Sequence, residues 1–312
     1  MANAFIFPGQ GSQAAGMGRA LATNCTEARD VFARIDEALG QNLSELMFNG
    51  PEAELTLTEN AQPALMGVSI AVLEVLKARG YDVQGNVAYL AGHSLGEYAA
   101  LTAAGALQLE DCARLLKLRG QAMQRAVPVG VGAMAALLGL DFETVVEVAA
   151  EATAENEICG AANDNAVGQV VISGHTAAVA RAIDIAKQRG AKRAMELPVS
   201  APFHCALMQP AAEEMQAALA DIEIAAPALP IIANVTASPV TEPEEIRNLL
   251  VAQVTGSVRW RESMIWLADK GVTHLVELGS GKVLSTMAKR IDPRLTAQSL
   301  TAEEDITAFL AD

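Results

Sequence analysis

The stretch Val87-Ala88-Tyr89-Leu90-Ala91-Gly92-His93-Ser94-Leu95-Gly96-Glu97-Tyr98-Ala99-Ala100-Leu101 changes character at its middle. An apolar run leads into Gly92-His93-Ser94-Leu95-Gly96, a Gly-x-Ser-x-Gly turn, and a helix-forming run follows. Strand, sharp turn and helix in that order form the context in which this motif exposes a serine hydroxyl. A Cβ at either flanking position would crowd the strand and the helix, so glycine is needed at both. The serine then stands at a helix N-terminus, whose free N–H groups favour developing negative charge. A turn that merely contains a serine is the plain alternative, and the flanking strand and helix count against it.

On the N-terminal side, residues 4–7 read as a short buried strand, broken by Pro8-Gly9-Gln10-Gly11-Ser12. Residues 27–39 and 61–79 carry helical apolar spacing. Beyond the turn, helices are predicted at 95–104 and 109–125. The second opens with Glu110 and Asp111 and ends among Lys117, Arg119 and Arg125, the charge order a helix dipole favours. Pro128-Val129-Gly130-Val131-Gly132 reads as a hinge. A new order follows: strand 133–140, helix 142–152, strand 158–163, strand 169–173, helix 177–189, strand 192–199. That is the β-α-β-β-α-β order of a ferredoxin-like unit. Helices at 207–220, 243–254 and 259–270 and strands at 230–234 and 273–278 come next. The expected fold is α/β: a large domain with a mainly parallel sheet from residues 1–127 and 199–312, holding a small subdomain, 128–198, as an insertion.

Composition narrows the function classes. The chain has 312 residues, 51% hydrophobic and 19% charged, enough for a sizeable core. Aromatics are 4%, so that core must be aliphatic. A net charge of −15 disfavours nucleic acid, whose phosphates need a basic surface. Cys25, Cys112, Cys159 and Cys205 are far apart and suggest neither a metal site nor a redox pair. A reducing compartment is expected. The N-terminus lacks a signal-peptide pattern, and no apolar run reaches the roughly 20 residues of a membrane helix, so a cytoplasmic protein without membrane contact is expected.

A serine nucleophile needs a base. His93 is next to Ser94 on a turn where adjacent side chains point apart. His175 opens a small-unit helix, where capping or solvation explains it, and His274 opens a strand. His204 lies in Ser200-Ala201-Pro202-Phe203-His204-Cys205, which leaves the small unit and can reach back to the elbow. It is the favoured base, against the plain alternative of a satisfied, partly buried histidine. An acyl transfer also needs an oxyanion hole. The backbone N–H of Leu95 is one expected donor, and the Pro8-Gly9-Gln10-Gly11 loop is the candidate source of a second.

These residues resemble the malonyl-CoA:acyl carrier protein transacylase family. The resemblance rests on Phe7-Pro8-Gly9-Gln10-Gly11-Ser12-Gln13, Gly92-His93-Ser94-Leu95-Gly96-Glu97-Tyr98 and Pro202-Phe203-His204. It extends to Ala162-Asn163 with residues 168–174, and to residues 277–284, covering essentially the whole chain. It implies a hydrolase-like α/β core with an inserted ferredoxin-like subdomain, in a stand-alone acyltransferase of fatty acid synthesis. It implies Ser94 as acyl-carrying nucleophile and His204 as base, with Gln253 orienting His204 through its backbone carbonyl. Gln10 and Leu95 would supply the oxyanion N–H groups. Arg119 would pair with the malonyl carboxylate, Met123 would line the acyl pocket, and Asn163 would lie near the substrate. Phe203 matches the malonyl-selecting version of the family, where a phenyl ring crowds an α-methyl branch; a clash of that size is worth about 1–3 kcal/mol. Related sequences often carry proline where this chain has Ser280.

The implied partners are malonyl-CoA and acyl carrier protein, with no cofactor and no metal, and a monomer is expected. Such carriers are acidic, so docking would need a local basic patch on this acidic chain. Lys192-Arg193, Lys289-Arg290 and Arg125 are the candidates. Two other classes remain: a serine hydrolase, which would need a triad acid or an Asp-Gly context this chain lacks, and a carrier-binding module without catalysis. A domain of a polyketide synthase is a narrower third.

Overall fold

The computed structural model describes residues 2–199 and 201–311. Among the described residues ten strands form two sheets. The first sheet holds β1 (Ala2–Phe7), β2 (Val87–Gly92), β7 (Ile231–Ala233), β8 (Ser238–Val240), β9 (Val272–Leu278) and β10 (Thr296–Leu300). Its order is β10-β9-β1-β2-β7-β8, parallel throughout except for β8, which runs antiparallel to β7.

β1 shows why the sheet lies deep inside. Ala4, Phe5, Ile6 and Phe7 are all fully buried. Side chains alternate between faces, and here both faces are covered. Phe5 and Phe7 join one apolar cluster with Leu90, Tyr98 and the Thr58–Ala78 helix, while Ala4 and Ile6 join a second with Ala91, Ile232 and Trp260. The Thr58–Ala78 helix corrects one expectation, because by length and apolarity alone it could cross a membrane. Its most apolar window is instead 83% buried within the protein, as a core helix.

The second sheet holds β3 (Gly132–Leu138), β4 (Cys159–Ala166), β5 (Gln169–His175) and β6 (Arg193–Glu196), all antiparallel in the order β4-β5-β3-β6. Period-two patterning sets its two faces. Ala133, Ala135 and Leu137 pack against the Phe142–Ala152 and Thr176–Gln188 helices. Met134 points the other way, joining Ala162, Val171 and Phe203.

Some elements differ from expectation. The strand expected over 192–199 ends at Glu196; Leu197 still donates to the Met134 carbonyl at 2.8 Å, but the next N–H on that side, Val199, turns back to the Leu197 carbonyl at 2.8 Å. The helix expected from 207 begins as a 3-10 turn, Ala206–Met208, ahead of Gln209–Ala220. Val283–Ile291, β10 and Glu303–Ala311 were not read as elements. Ser200 lies outside the described residues.

Three consecutive residues of β4 join the sheets. Asn163 makes a parallel bridge with Val258, reinforced by Asp164 N–H to Val258 O at 2.9 Å. The Asp164 carboxylate, fully buried, takes the Arg261 guanidinium at 2.9 Å. Asn165 Oδ1 meets His93 Nε2 at 2.8 Å. Burial pushes the Asp164 carboxyl up, and Arg261 opposes that shift. Breaking such a pair leaves an uncompensated buried charge. Arg261→Leu is therefore expected to lower stability by about 3 kcal/mol in denaturant unfolding. A change under about 0.5 kcal/mol, the range of ordinary surface substitutions, would contradict the role of this seam.

Candidate active site

The elbow is formed by contacts too close for any side chain. A Cβ on Gly92 would sit 1.9 Å from Gly96 C, and one on Gly96 would sit 2.3 Å from Phe7 O. Between them Ser94 adopts φ 53°, ψ −111°, a conformation L-residues rarely hold. Surrounding bonds enforce it. Ser94 N–H donates to Asn234 Oδ1 at 2.7 Å, and Asn234 Nδ2 donates back to Gly92 O at 2.7 Å. Gly96 N–H turns to His93 O at 2.9 Å.

His204, also at positive φ (58°), meets the elbow from the segment before the 3-10 turn. Its Nε2 lies 2.8 Å from Ser94 Oγ. Its Nδ1 faces two backbone carbonyls, Gln253 O at 2.9 Å and Gly256 O at 3.2 Å. Carbonyls only accept, so Nδ1 carries the proton and the Nε2 lone pair faces the serine hydroxyl. Burial and, after it, the Arg119 guanidinium press the imidazole pKa down to about 3, against the Gln253 and Gly256 bonds that raise it. The ring is thus neutral at physiological pH and able to take a proton.

Arg119, on the Leu109–Ala126 helix, is buried beside the same hydroxyl. Its Nη2 donates to Ser94 Oγ at 3.1 Å and Gln253 Oε1 at 2.9 Å, and its Nη1 donates to Gln62 Oε1 at 2.7 Å. Its Cζ sits 5.7 Å from the centre of the Tyr98 ring. Among the described residues no carboxylate forms an ion pair with it; its direct acceptors are neutral oxygens. Gly120, the next residue, allows the approach: a Cβ there would be 2.5 Å from Glu59 Cα.

These groups open on a cavity of about 430 Å³ between the two sheets. Ser94, Leu95, His204 and Gln10 line it around the serine hydroxyl, with Arg119, Met123, Phe203 and Asn163. Gln253 is fully buried and reaches the site through its bonds to Arg119 and His204 and through Nε2, which donates to Ser94 O at 3.0 Å. Among the described residues neither the Leu95 nor the Gln10 N–H has an intramolecular acceptor, and both residues border Ser94's side of the cavity. No group of three or more His, Cys, Asp or Glu among the described residues could hold a metal.

The other histidines are engaged elsewhere. His93 is bonded to Asn165, with its ring 5.6 Å from that of Trp260. His175 accepts the Ile158 N–H at 2.9 Å, and His274 meets Thr296 Oγ1 at 2.9 Å. Ser280 donates to Ser12 O at 2.7 Å, far from the chemistry. Sequence reasoning missed Gln62, Asn234 and the contacts of Glu97. Gln62 offered one signal, a polar residue directly before Pro63 and the apolar run that follows it in the helix. Met123 also belongs to that contact set, since Gln62 Nε2 reaches its sulfur at 3.8 Å.

Comparison with known proteins gives a consistent result. The model of the acyl transferase domain family matches residues 4–291. A malonyl CoA-acyl carrier protein transacylase of Bacillus subtilis is 46% identical over 303 residues, 97% of this chain and 94% of that protein. The crystal structure of an acyl-carrier-protein-S-malonyltransferase from Bartonella henselae superposes with a TM-score of 0.97 at 53% identity, covering 100% of this chain and 99% of that one. A malonyl-transacylase solved in complex with its type II PKS acyl-carrier protein superposes at 0.96 with 41% identity, covering 100% and 99%. The chain is therefore an acyltransferase and belongs to the malonyl-CoA:acyl carrier protein transacylase family.

Proposed function

We propose that this chain moves a malonyl group from coenzyme A to the phosphopantetheine thiol of an acyl carrier protein, in two half-reactions through a malonyl ester on Ser94. The observation that carries this reading is the buried Arg119, touching the Ser94 hydroxyl at 3.1 Å with no carboxylate of its own. A guanidinium forks onto a carboxylate with two parallel bonds. Malonyl supplies that carboxylate. Acetyl would leave the cation buried and unpaired, which is costly.

In the first half-reaction His204 Nε2 takes the Ser94 proton as Oγ attacks the thioester carbonyl carbon. The oxyanion that forms faces the N–H groups of Leu95 and Gln10. Collapse breaks the carbon–sulfur bond, and the departing sulfur takes the proton from His204. In the second, the carrier thiol gives its proton to His204 and attacks the ester; Ser94 then recovers the proton. Gln253 holds His204 in the productive tautomer through its carbonyl. An arriving carboxylate also cancels the Arg119 charge that depresses His204, so the base strengthens when the correct substrate is present. Met123, Phe203 and Asn163 form the acyl walls, and Phe203 narrows the space for an α-branch.

The strand order β4-β5-β3-β6 and its two flanking helices support a ferredoxin-like subdomain over 128–198, inserted in a hydrolase-like core of 1–127 and 199–312. Four free thiols fit a reducing compartment such as the cytoplasm. For carrier docking, Lys192, Arg193, Lys289 and Arg290 are exposed, whereas Arg125 is paired with Glu214 at 2.6 Å.

Initial rates with malonyl-CoA and a phosphopantetheinylated carrier protein test the reading. Arg119→Ala is expected to cut kcat/KM for malonyl-CoA about a hundredfold, equivalent to about 3 kcal/mol, while acetyl transfer changes little. Equal losses for both acyl groups would contradict carboxylate selection. Reversing Lys192-Arg193 or Lys289-Arg290 to Glu should slow transfer to the carrier about tenfold and leave Ser94 acylation unchanged. Normal transfer in both reversals would exclude these patches.

A further inference from the structure

Glu97 has no part in the chemistry above, yet its carboxylate lies at the junction of the site's supports. It sits in the first turn of the Leu95–Ala103 helix and is buried. One oxygen, Oε2, accepts from Gln253 Nε2 at 2.8 Å and from the Asn234 N–H at 3.0 Å. Gln253 presents its other end, Oε1, to Arg119 at 2.9 Å. Asn234 in turn accepts the Ser94 N–H.

We propose that Glu97 is a positioning residue that fixes which way the Gln253 amide faces, and through that amide holds Arg119 ready for the carboxylate of the acyl group. This rests on the malonyl reading of the site. An amide has a donor end and an acceptor end that occupy nearly the same volume. Turned round, Gln253 would aim N–H groups at the Arg119 guanidinium, which can only donate. The donor end meets two acceptors, Ser94 O at 3.0 Å and the Glu97 carboxylate at 2.8 Å, and the anion gives the stronger hold, because a charged acceptor binds N–H more strongly than a neutral one. Glu97 and Arg119 do not pair directly. The amide is aligned between the Glu97 carboxyl group and the Arg119 guanidinium, and a low-polarity interior strengthens both bonds.

Burial pushes the Glu97 carboxyl up to about 7, while Gln253, Asn234 and the Arg119 charge pull it back. Burying a carboxylate without direct contact to a cation is expensive. A purely structural role would be filled as well by an uncharged side chain of the same shape. What the charge adds is the orientation of Gln253, and so a guanidinium held where the acyl carboxylate must land.

The test compares Glu97→Gln with the unmodified chain. The amide keeps an oxygen for Asn234 and nearly the same volume, so the elbow backbone is retained. Rates of Ser94 acylation by malonyl-CoA and acetyl-CoA are read by intact-protein mass, with the unfolding temperature as a control. The expected result is a malonyl rate at least fivefold lower, appearing as a raised KM, with the acetyl rate and the unfolding temperature near those of the unmodified chain. Unchanged rates, or equal losses for both acyl groups, would overturn the proposal. If Glu97→Gln does not fold, Glu97→Asp serves instead: it keeps the charge but withdraws it by a methylene, and should lower the malonyl-to-acetyl ratio about threefold. An unchanged ratio there would also overturn it. Absence of malonyl uptake by the unmodified chain would refute the malonyl reading itself, and this inference with it.

Discussion

A buried cation shares its hydrogen-bonding space with a serine hydroxyl, and the rest of the site is arranged around that constraint. Arg119 lies 3.1 Å from Ser94 Oγ, and His204 lies 2.8 Å from the same atom. Burial, and after it the neighbouring guanidinium, disfavours a charged imidazole, so the ring stays neutral. The usual carboxylate partner of a catalytic histidine is replaced by two backbone carbonyls. They hold the tautomer without placing a negative charge behind the ring.

The fold supplies this arrangement through packing and strain. Gly92 and Gly96 let the elbow press against β1, which forces Ser94 to positive φ. Asn234, just past β7, and Glu97, one turn into the following helix, tie the strained backbone down. The second sheet closes the cavity with the face its helices leave open, through Met134 and Val171. The bonds made by Asn163, Asp164 and Asn165 keep that face in register with the elbow. Catalytic distances therefore depend on a seam between two sheets as well as on the elbow.

Much of this was legible in the sequence, for identifiable reasons. The elbow was readable because its glycines answer to a steric requirement that no other residue meets. The β-α-β-β-α-β order was readable because its strands and helices carry different periods. His204 was chosen by elimination among four histidines. Arg119 had no local signature, since a helix-end arginine reads the same whether solvated or buried, and its place came through family resemblance. Gln62 and Asn234 were missed because their roles arise from long-range contact. Gln62 binds a residue 57 positions away, and Asn234 one 140 positions away. Leu197 to Val199 was misread because an apolar extended run looks like a strand, and the turn of the Val199 N–H back to the Leu197 carbonyl leaves no mark in the sequence.

The account turns on Ser94 carrying an acyl group that Arg119 selects. Mixing the chain with malonyl-CoA in the absence of any acceptor, and weighing the intact protein, isolates that step. A malonyl-sized gain on the unmodified chain, absent in Ser94→Ala, is the predicted result. Coenzyme A release without a mass gain on the unmodified chain, or a gain that persists in Ser94→Ala, would contradict it.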